Sequence, residues 1–172
     1  MATHDYFIKM DGIDGESTDK KHSKEVEVVR FKFRAFQAGT AGSATGGLGK
    51  GKVKLDDFHI WKKTDKSSPK LFQACCAGTG VKSITFTARE AGGDQQDYYK
   101  VTMSNCIVSS FETSYGEEGH AAAPGSDDWV QLEKVTFNFS SIEVSYKEQK
   151  ADGTLGGEIK GQWNATTNTP TT

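Results

Sequence analysis

The sequence predicts an all-β (mainly β) domain: a small closed or nearly closed β-barrel of bent antiparallel strands with one short flanking α-helix and a long glycine-rich loop. Three observations predict it. Apolar and polar residues alternate with period 2 along most of the 172 residues, which is typical of half-buried strands. This alternation reverses its phase inside several strand-like segments. One segment has helical spacing, and 19 glycines supply frequent turns.

The predicted strands start with residues 6–10 and continue with a long run at residues 25–36. In that run Val26 and Val28 share one face, whereas Phe31 belongs to the other. Because a one-residue slip turns every later side chain over, such a strand requires a bulge or a sharp bend. The same reversal separates residues 53–55 from 58–60, 99–103 from 106–108, and 135–139 from 142–146. These bends favour a barrel, and the alternative of two shorter strands joined by an irregular link stays open.

One short helix is predicted from Ser68, a good N-cap, with Pro69 in the first helical position and Gly78 as the stop. Its apolar face is expected to pack on the barrel wall or to close one mouth of the barrel. The residues of that face are Leu71, Phe72, Cys75 and Cys76.

Turn signals join the remaining strands into hairpins. Residues 91–94 follow a strand at 84–88, and residues 151–153 precede a strand at 158–163. No linker separates two regions of different composition. Residues 1–172 are therefore predicted to form a single domain.

Two long loops and the C-terminus have no predicted secondary structure. Residues 37–51 are rich in glycine, and a structureless loop of this length is uncommon in a compact domain unless it is functional or disordered. Residues 113–128 are acidic and are predicted to form a solvated excursion. Residues 166–172 are predicted to be a frayed tail.

The composition argues against several classes of function. A net charge of -2 disfavours a nucleic-acid binder, which needs a basic excess, and disfavours attraction to an anionic membrane surface. No stretch reaches the roughly 20 apolar residues of a membrane-spanning helix, and the N-terminus lacks a signal-peptide pattern, so a cytoplasmic starting point is expected. Cys75, Cys76 and Cys106 do not form the even, spaced set of a disulfide framework, which indicates a reducing compartment.

No motif predicts a cofactor, a metal site or a catalytic site. Residues 46–52 match the first part of a phosphate-binding P-loop, but Val53 stands where a magnesium-binding Ser or Thr is required. The histidines lack metal-ligand spacing. Two alternatives stay open: a stand-alone carbohydrate-binding β domain that uses Trp129, and a small hydrolase that uses Cys75 with His59.

A β domain with a long flexible arm and no catalytic constellation fits a self-assembling building block. A glycine-rich arm cannot form a core of its own, but it can lie along a neighbouring copy. A head-to-tail interface of this kind gives a closed ring when the rotation closes and a stack or filament when it does not.

An ordered string of short motifs covers essentially the whole chain. The motifs are residues 7–9, 12–17, the glycine-rich arm, 65–71, 91–93, 107–110, 135–139, 149–153 and 161–164. In this order they resemble the haemolysin-coregulated protein (Hcp) family of bacterial type VI secretion. The chain departs from that pattern at residues 31–34, 75–76 and 121–123, which concerns partner specificity more than the fold.

The resemblance implies a homohexameric ring, with rings stacking into the inner tube that a contractile sheath drives into a target cell. It implies as partners further copies of the chain, the sheath and spike components, and effector proteins that the ring lumen carries or chaperones. It also implies secretion through the type VI apparatus without a cleaved signal peptide, no cofactor, no enzymatic activity, no nucleic acid and no membrane insertion.

The resemblance further implies which residues meet other copies. The arm would contact a neighbouring protomer or the next ring through Gly39, Thr40, Gly42, Ser43, Gly46, Gly47, Leu48, Gly49, Lys50 and Gly51. The assembled surfaces would also include Ser109, Ser110 and Phe111.

Overall fold

A computed structural model describes residues 4–37, 52–90, 95–114, 131–150 and 153–171. Within these ranges most residues lie in strands. The elements are β1 His4–Met10, β2 Val26–Lys32, β3 Ala35–Phe36, β4 Lys54–Leu55, β5 Phe58–Lys63, α1 Ser68–Ala77, β6 Gly80–Glu90, β7 Asp97–Ser114, β8 Leu132–Asn138, β9 Ser141–Gln149 and β10 Leu155–Asn164.

A closed antiparallel barrel forms the centre of the molecule, as the sequence predicts. Its strands pair in the order β7, β6, β1, β2, β5 and β8, and the barrel closes because β8 also pairs with β7. Strand β7 is long enough to serve two neighbours on the same side. Its C-terminal half pairs with β8, and its N-terminal half pairs with β9.

Strands β9 and β10 extend from β7 outside the closed barrel, and we refer to them as the wing. Strand β9 pairs with β7 on one side and with β10 on the other. Among the described strands, β10 pairs only with β9 and is therefore a free edge. The two outermost strands of the sheet thus differ: β8 closes the barrel by pairing with β7, whereas the outer edge of β10 is open.

Aromatic rings fill much of the barrel core. Phe58 and Phe86 are fully buried, and their ring centroids lie 5.4 Å apart. Phe31 is half-buried and lies 4.3 Å from Phe86, while Phe33 lies 6.2 Å from Phe58. The 31–34 segment, which departs from the Hcp pattern, therefore contributes directly to the core.

At two of the predicted phase reversals the strand bends and continues. In β2 the pairing with β5 shifts between Val28 and Arg30, so Val28 is buried and Val29 is exposed. In β7 the reversal lies at Asn105, whose backbone has φ 50°, in the left-handed region. Asn tolerates this conformation better than most residues, which allows the strand to turn its faces without ending.

At the other two reversals the alternative holds, because each run is divided into two strands. Lys54–Leu55 and Phe58–Lys63 belong to different sheets. Strands β8 and β9 both run antiparallel to β7 and follow each other along the same edge of it. They are separated at Ser140, whose N–H donates to the carbonyl of Ser104 (3.1 Å).

The predicted helix is present, but its cap and buried face differ from the prediction. The N-cap is Ser67, not Ser68, and Gly78 ends the helix with φ 62°. Leu71 is buried as predicted, whereas Phe72 is 56% exposed. The helix turns its Ser68, Leu71 and Ala74 side to the protein because these residues lie at i, i+3 and i+6, whereas Phe72 lies about 100° round the helix from Leu71.

The two cysteines of the predicted apolar helix face also differ in burial. Cys75 is partly buried against the core, and Cys76 is exposed, which contradicts its prediction as a packing residue. Cys106 is buried in β7, as predicted for a core residue. Its burial raises the pKa of its thiol to about 11, which keeps it protonated at neutral pH.

A buried ion pair joins the helix to the barrel. Phe58, Ile60 and Lys62 alternate along β5, and all three are fully buried. The Lys62 ammonium donates to Glu133 Oε2 at 2.8 Å and to Ser68 Oγ at 2.9 Å. The Ser68 hydroxyl in turn donates to Glu133 Oε2 at 2.7 Å. Ser68 therefore satisfies a buried charge and is not available to cap the helix.

The predicted hairpins are present as strand pairs. Strands β6 and β7 are antiparallel, and so are β9 and β10. The turn residues 91–94 and 151–152 lie outside the described residues, as do most of the two predicted loops, namely residues 38–51 and 115–128. Residues 113 and 114, predicted as the start of the second loop, belong to β7.

The predicted frayed tail is wrong for residues 166–169. The Asn164 side chain accepts the N–H groups of Thr166 and Thr167, and the Asn164 backbone pairs with Thr169.

A polar cluster fixes the segment between β1 and β2 to the outside of the barrel. Each ring nitrogen of the buried His22 faces a carboxylate, Glu25 at 2.9 Å and Asp97 at 3.1 Å. The His22 ring stacks on Phe7 with centroids 4.3 Å apart. Arg89 is buried beside it and donates to Asp19 at 2.8 Å and to Asp5 at 3.0 Å.

We expect this cluster to make folding sensitive to acid. Burial alone would raise the pKa of Asp97, but hydrogen bonds from His22 and Lys100 outweigh it and lower that pKa from 3.8. A carboxyl group with a lowered pKa stabilises the fold above its unfolded pKa and loses that contribution as the pH falls through its folded pKa. The melting temperature should therefore fall between about pH 5 and pH 2.

The matched variants are Asp97→Asn and Asp14→Asn, where Asp14 is exposed. Thermal unfolding followed by circular dichroism should show a shallower acid dependence for Asp97→Asn than for the parent chain. Asp14→Asn should keep the parent's dependence. Equal slopes for all three proteins would show that the cluster does not contribute.

Candidate assembly surfaces

The two ends of the glycine-rich arm lie side by side. Strands β3 and β4 form a two-stranded antiparallel ribbon, with Phe36 opposite Lys54, on either side of residues 38–51. Phe36 is 52% exposed. The ten predicted arm contacts, from Gly39 to Gly51, lie outside the described residues, so they stay predictions.

The other predicted surface residues lie on β7 where it faces β8. Ser109 and Ser110 are exposed, and the pairing with β8 shifts between Val108 and Ser110. The Ser109 hydroxyl donates to Asp57, and it lies 2.8 Å from the Thr136 hydroxyl. Ser109 is thus held by the barrel, whereas Ser110 stays available at the surface.

Phe111 is half-buried and has a partner within the chain. Its ring meets that of Phe72 edge to face, with centroids 6.0 Å apart. Since Phe72 on α1 is exposed, this pair forms a small aromatic surface between the helix and β7. The predicted assembly role of Phe111 stays a prediction.

The wing carries an apolar face that starts inside the protein and ends in solvent. Ile159 on β10, Tyr146 on β9 and Tyr99 on β7 stand opposite one another in register. Tyr99 is half-buried, Tyr146 is 45% exposed and Ile159 is 69% exposed. This row continues the side of the sheet that forms the barrel core, but no described segment covers its outer end.

Gly161 stands two residues beyond Ile159 on this face. A Cβ built at Gly161 meets no atom within 4 Å, so packing within the described chain does not require glycine there. A glycine at such a place leaves the strand surface low and lets another backbone approach closely. The apolar face of the wing is accordingly shallow and accessible.

The opposite face of the wing is polar and satisfied by its own contacts. The Lys160 ammonium pairs with Glu143 at 2.9 Å and with Glu158 at 3.5 Å, and the Gln162 amide donates to Glu143. The hydrogen bond that the Lys160 ammonium donates to Glu143 raises the pKa of Lys160. The two faces of the wing therefore differ. The polar face has its hydrogen-bond and ion-pair partners within the chain, whereas the apolar face is left exposed at its outer end.

The described residues offer little for chemistry. Among them, no group of three or more His, Cys, Asp or Glu side chains is placed to hold a metal ion. His59 and Cys75, the pair considered for a hydrolase, are on β5 and on α1, and no hydrogen bond joins them. In the described part of the chain, no helix is long and apolar enough to cross a membrane.

The residues that sequence reasoning misses are Ile159 and Tyr146. The alternating pattern of β10 shows that Ile159 and Trp163 share a face, but it does not show that β10 is an edge. Whether β10 is an edge strand depends on the order in which all the strands pair, and a local sequence pattern does not contain that order.

Comparison with known proteins agrees with the fold. The family model for the type VI secretion system effector Hcp matches residues 7–146. The protein Hcp1 of Pseudomonas aeruginosa is 37% identical over 162 residues, which cover 93% of this chain and 94% of the relative.

Solved structures give the same result. A structure described as a type six secretion system protein superposes with a TM-score of 0.86 at 31% identity, covering 99% of this chain and 100% of the other. Hcp1 from Salmonella typhimurium superposes with a TM-score of 0.77 at 29% identity, with the same coverage. These matches give no support to the carbohydrate-binding alternative, whose Trp129 lies outside the described residues. The chain belongs to the Hcp family and is a tube protein of the type VI secretion system.

Proposed function

We propose that six copies of this chain form a ring in which the apolar face of the wing, Tyr146 and Ile159, packs against the neighbouring copy. The observation that carries this proposal is the exposed end of a row that is buried elsewhere in the same sheet. An apolar surface left open beside an unpaired strand edge favours contact with another chain. Used head to tail, one such contact repeated with a closing rotation gives a ring.

Rings stack into a tube through the glycine-rich arm and the surface around Ser109, Ser110 and Phe111. The β3–β4 ribbon supports this role of the arm, because it holds the two ends of residues 38–51 side by side. An arm fixed at both ends loses less conformational freedom on binding than a free tail does. The ten arm residues from Gly39 to Gly51 remain its proposed contacts.

The tube carries or chaperones effector proteins in its lumen, meets the sheath on its outside and is exported with the spike through the type VI apparatus without a cleaved signal peptide. Membership of a tube-protein family supports this role. Residues 1–172 act as a single domain, and the chain contributes surfaces to the machine rather than catalysis.

The direct test is the mass of the purified chain. Sedimentation velocity and negative-stain imaging are expected to give annular particles of about six protomers, because closed cyclic symmetry is the common result of a repeated head-to-tail contact. A monomer at every concentration tried would contradict the ring.

Deleting residues 42–49 tests whether the arm contributes to assembly without contributing to the fold of the barrel. The rings or tubes should become less stable, while the far-ultraviolet circular dichroism and the melting transition of the barrel stay close to those of the parent. If the melting transition is lost with the deletion, the arm is part of the fold and the proposed role for it is wrong.

A further inference from the structure

An outward face of the barrel carries cations arranged around a tryptophan. Arg30 on β2, Trp61 on β5 and Lys134 on β8 stand opposite one another in register. The Arg30 guanidinium lies over the Trp61 ring at 3.9 Å from its centroid, and the Lys134 ammonium lies 5.7 Å from it. Lys32 follows two residues after Arg30 on the same face and is exposed. We call Arg30, Lys32, Trp61 and Lys134 the cationic face.

The three cations of this face form no ion pair in the ranges that the structure describes, whereas Lys62 and Arg89 of the barrel do. Glu112 on β7 is the register neighbour of Lys134 on the other side. The whole chain has a net charge of -2, so this local excess of positive charge does not result from the overall composition.

A neighbouring histidine marks one boundary of the cationic face. His59 stands between Lys32 and Thr136 in the next row of this face. Its burial lowers its pKa first, and the charge of Lys134 lowers that pKa further, while Asp57 opposes this effect. Smaller contributions come from Lys32, which lowers the pKa, and from Asp56, which raises it. The cationic face is therefore bounded by carboxylates beyond His59, and an anion is favoured at the Arg30, Trp61 and Lys134 row.

The geometry also selects the shape of the anion. Two residues along a strand span about 6.8 Å, which separates Arg30 from Lys32 and equally separates alternate side chains of an extended peptide. Arg30 stacked on an indole keeps its planar edge free for bidentate contact with a carboxylate. Lys134 lies two strands away, at about 10 Å, and closes the site on the other side.

We propose that the cationic face binds an extended acidic peptide segment of a partner protein, one that presents carboxylates at alternate positions. This goes beyond ring assembly, which we assign to the wing. A peptide fits better than a nucleic acid, because the face is only a few charges wide on an acidic protein, and nucleic-acid binding of useful strength needs many phosphate contacts.

The test uses the full chain in its assembled state and a fluorescein-labelled peptide of alternating glutamate and serine, with fluorescence anisotropy as the readout. The parent should bind this peptide in a salt-dependent manner and bind the matching glutamine–serine peptide much more weakly. Arg30→Gln and Lys134→Gln should each weaken binding about tenfold, the size expected for one charge-assisted contact.

Lys82→Gln removes an exposed cation from β6 and is the matched control, with binding expected to stay at the parent level. Ring size and melting temperature are measured for every variant and should not change. No detectable peptide binding by the parent, or an equal loss with Lys82→Gln, would overturn the proposal. So would tighter binding of a labelled oligothymidine, which indicates a nucleic-acid site, or rings lost in Arg30→Gln, which indicates a contact between copies.

Discussion

Replacing Lys62 with methionine is expected to lower the free energy of unfolding by about 3–5 kcal/mol. The Lys62 ammonium is fully buried and lies 2.8 Å from Glu133 and 2.9 Å from Asp65. Methionine fills much of the space but leaves the Glu133 carboxylate, which is 3% exposed, without its counter-ion. An uncompensated buried charge is among the few defects that destabilise a domain this strongly.

The measurement is guanidinium unfolding followed by circular dichroism, at a concentration that keeps parent and variants in the same assembly state. Lys63→Met is the matched control, because Lys63 is the next residue on β5 and is exposed. It should change the free energy of unfolding by less than about 0.5 kcal/mol. Lys62→Met combined with Glu133→Leu should recover much of the loss, because the most deeply buried carboxylate is then absent, while Asp65 still accepts hydrogen bonds from Ser67. Equal effects of Lys62→Met and Lys63→Met would contradict the argument.

This ion pair also shows why part of the fold cannot be predicted from the sequence. Trp61, Lys62 and Lys63 look like the solvated end of a strand, since lysine is almost never fully buried unless it is paired. The partner that makes burial possible, Glu133, is 71 residues away. Its arrival depends on β8 pairing with β5, which is a consequence of barrel closure and not of any local pattern.

The strand bends are a case in which local patterns give the position of a feature but not its form. The change in the phase of the apolar residues near Val28 predicts a bulge, and the pairing of β2 with β5 shifts between Val28 and Arg30. The change at Asn105 predicts a bend, and β6 changes with it, since Val81 and Ile84 are both buried although they are three residues apart. A pattern of this kind cannot distinguish a bend from a break, because both move the apolar positions by one residue.

The assembly surfaces depend on the whole fold more than on local patterns. The surface role of Ser109 and Ser110 is implied by the resemblance to the Hcp family, because strict alternation would expose only one of two adjacent residues. Both are exposed where the pairing of β7 with β8 shifts between Val108 and Ser110. The wing face has no local signal either, because an exposed Ile159 and a buried isoleucine have the same pattern in the sequence. Which of them lies at an open edge depends on the order of strands in the sheet.

Replacing Ile159 with glutamate is expected to release the protomers from the ring. Ile159 is 69% exposed in the single chain, so the carboxylate should stay solvated there and the fold should keep its melting temperature. In the assembled interface the same carboxylate would be buried without a partner, which costs several kcal/mol. That cost corresponds to a weakening of each contact on the order of 100-fold.

Lys160→Gln is the control on the same strand, because Lys160 belongs to the polar face and pairs with Glu143 and Glu158. It removes a positive charge from the wing without altering the row of Ile159, Tyr146 and Tyr99. Sedimentation velocity should show rings for Lys160→Gln and smaller species for Ile159→Glu at the same concentration. Rings of unchanged stability in Ile159→Glu would show that protomers meet elsewhere, and the row would then need another explanation, because a strand edge with an exposed isoleucine favours uncontrolled association unless something covers it.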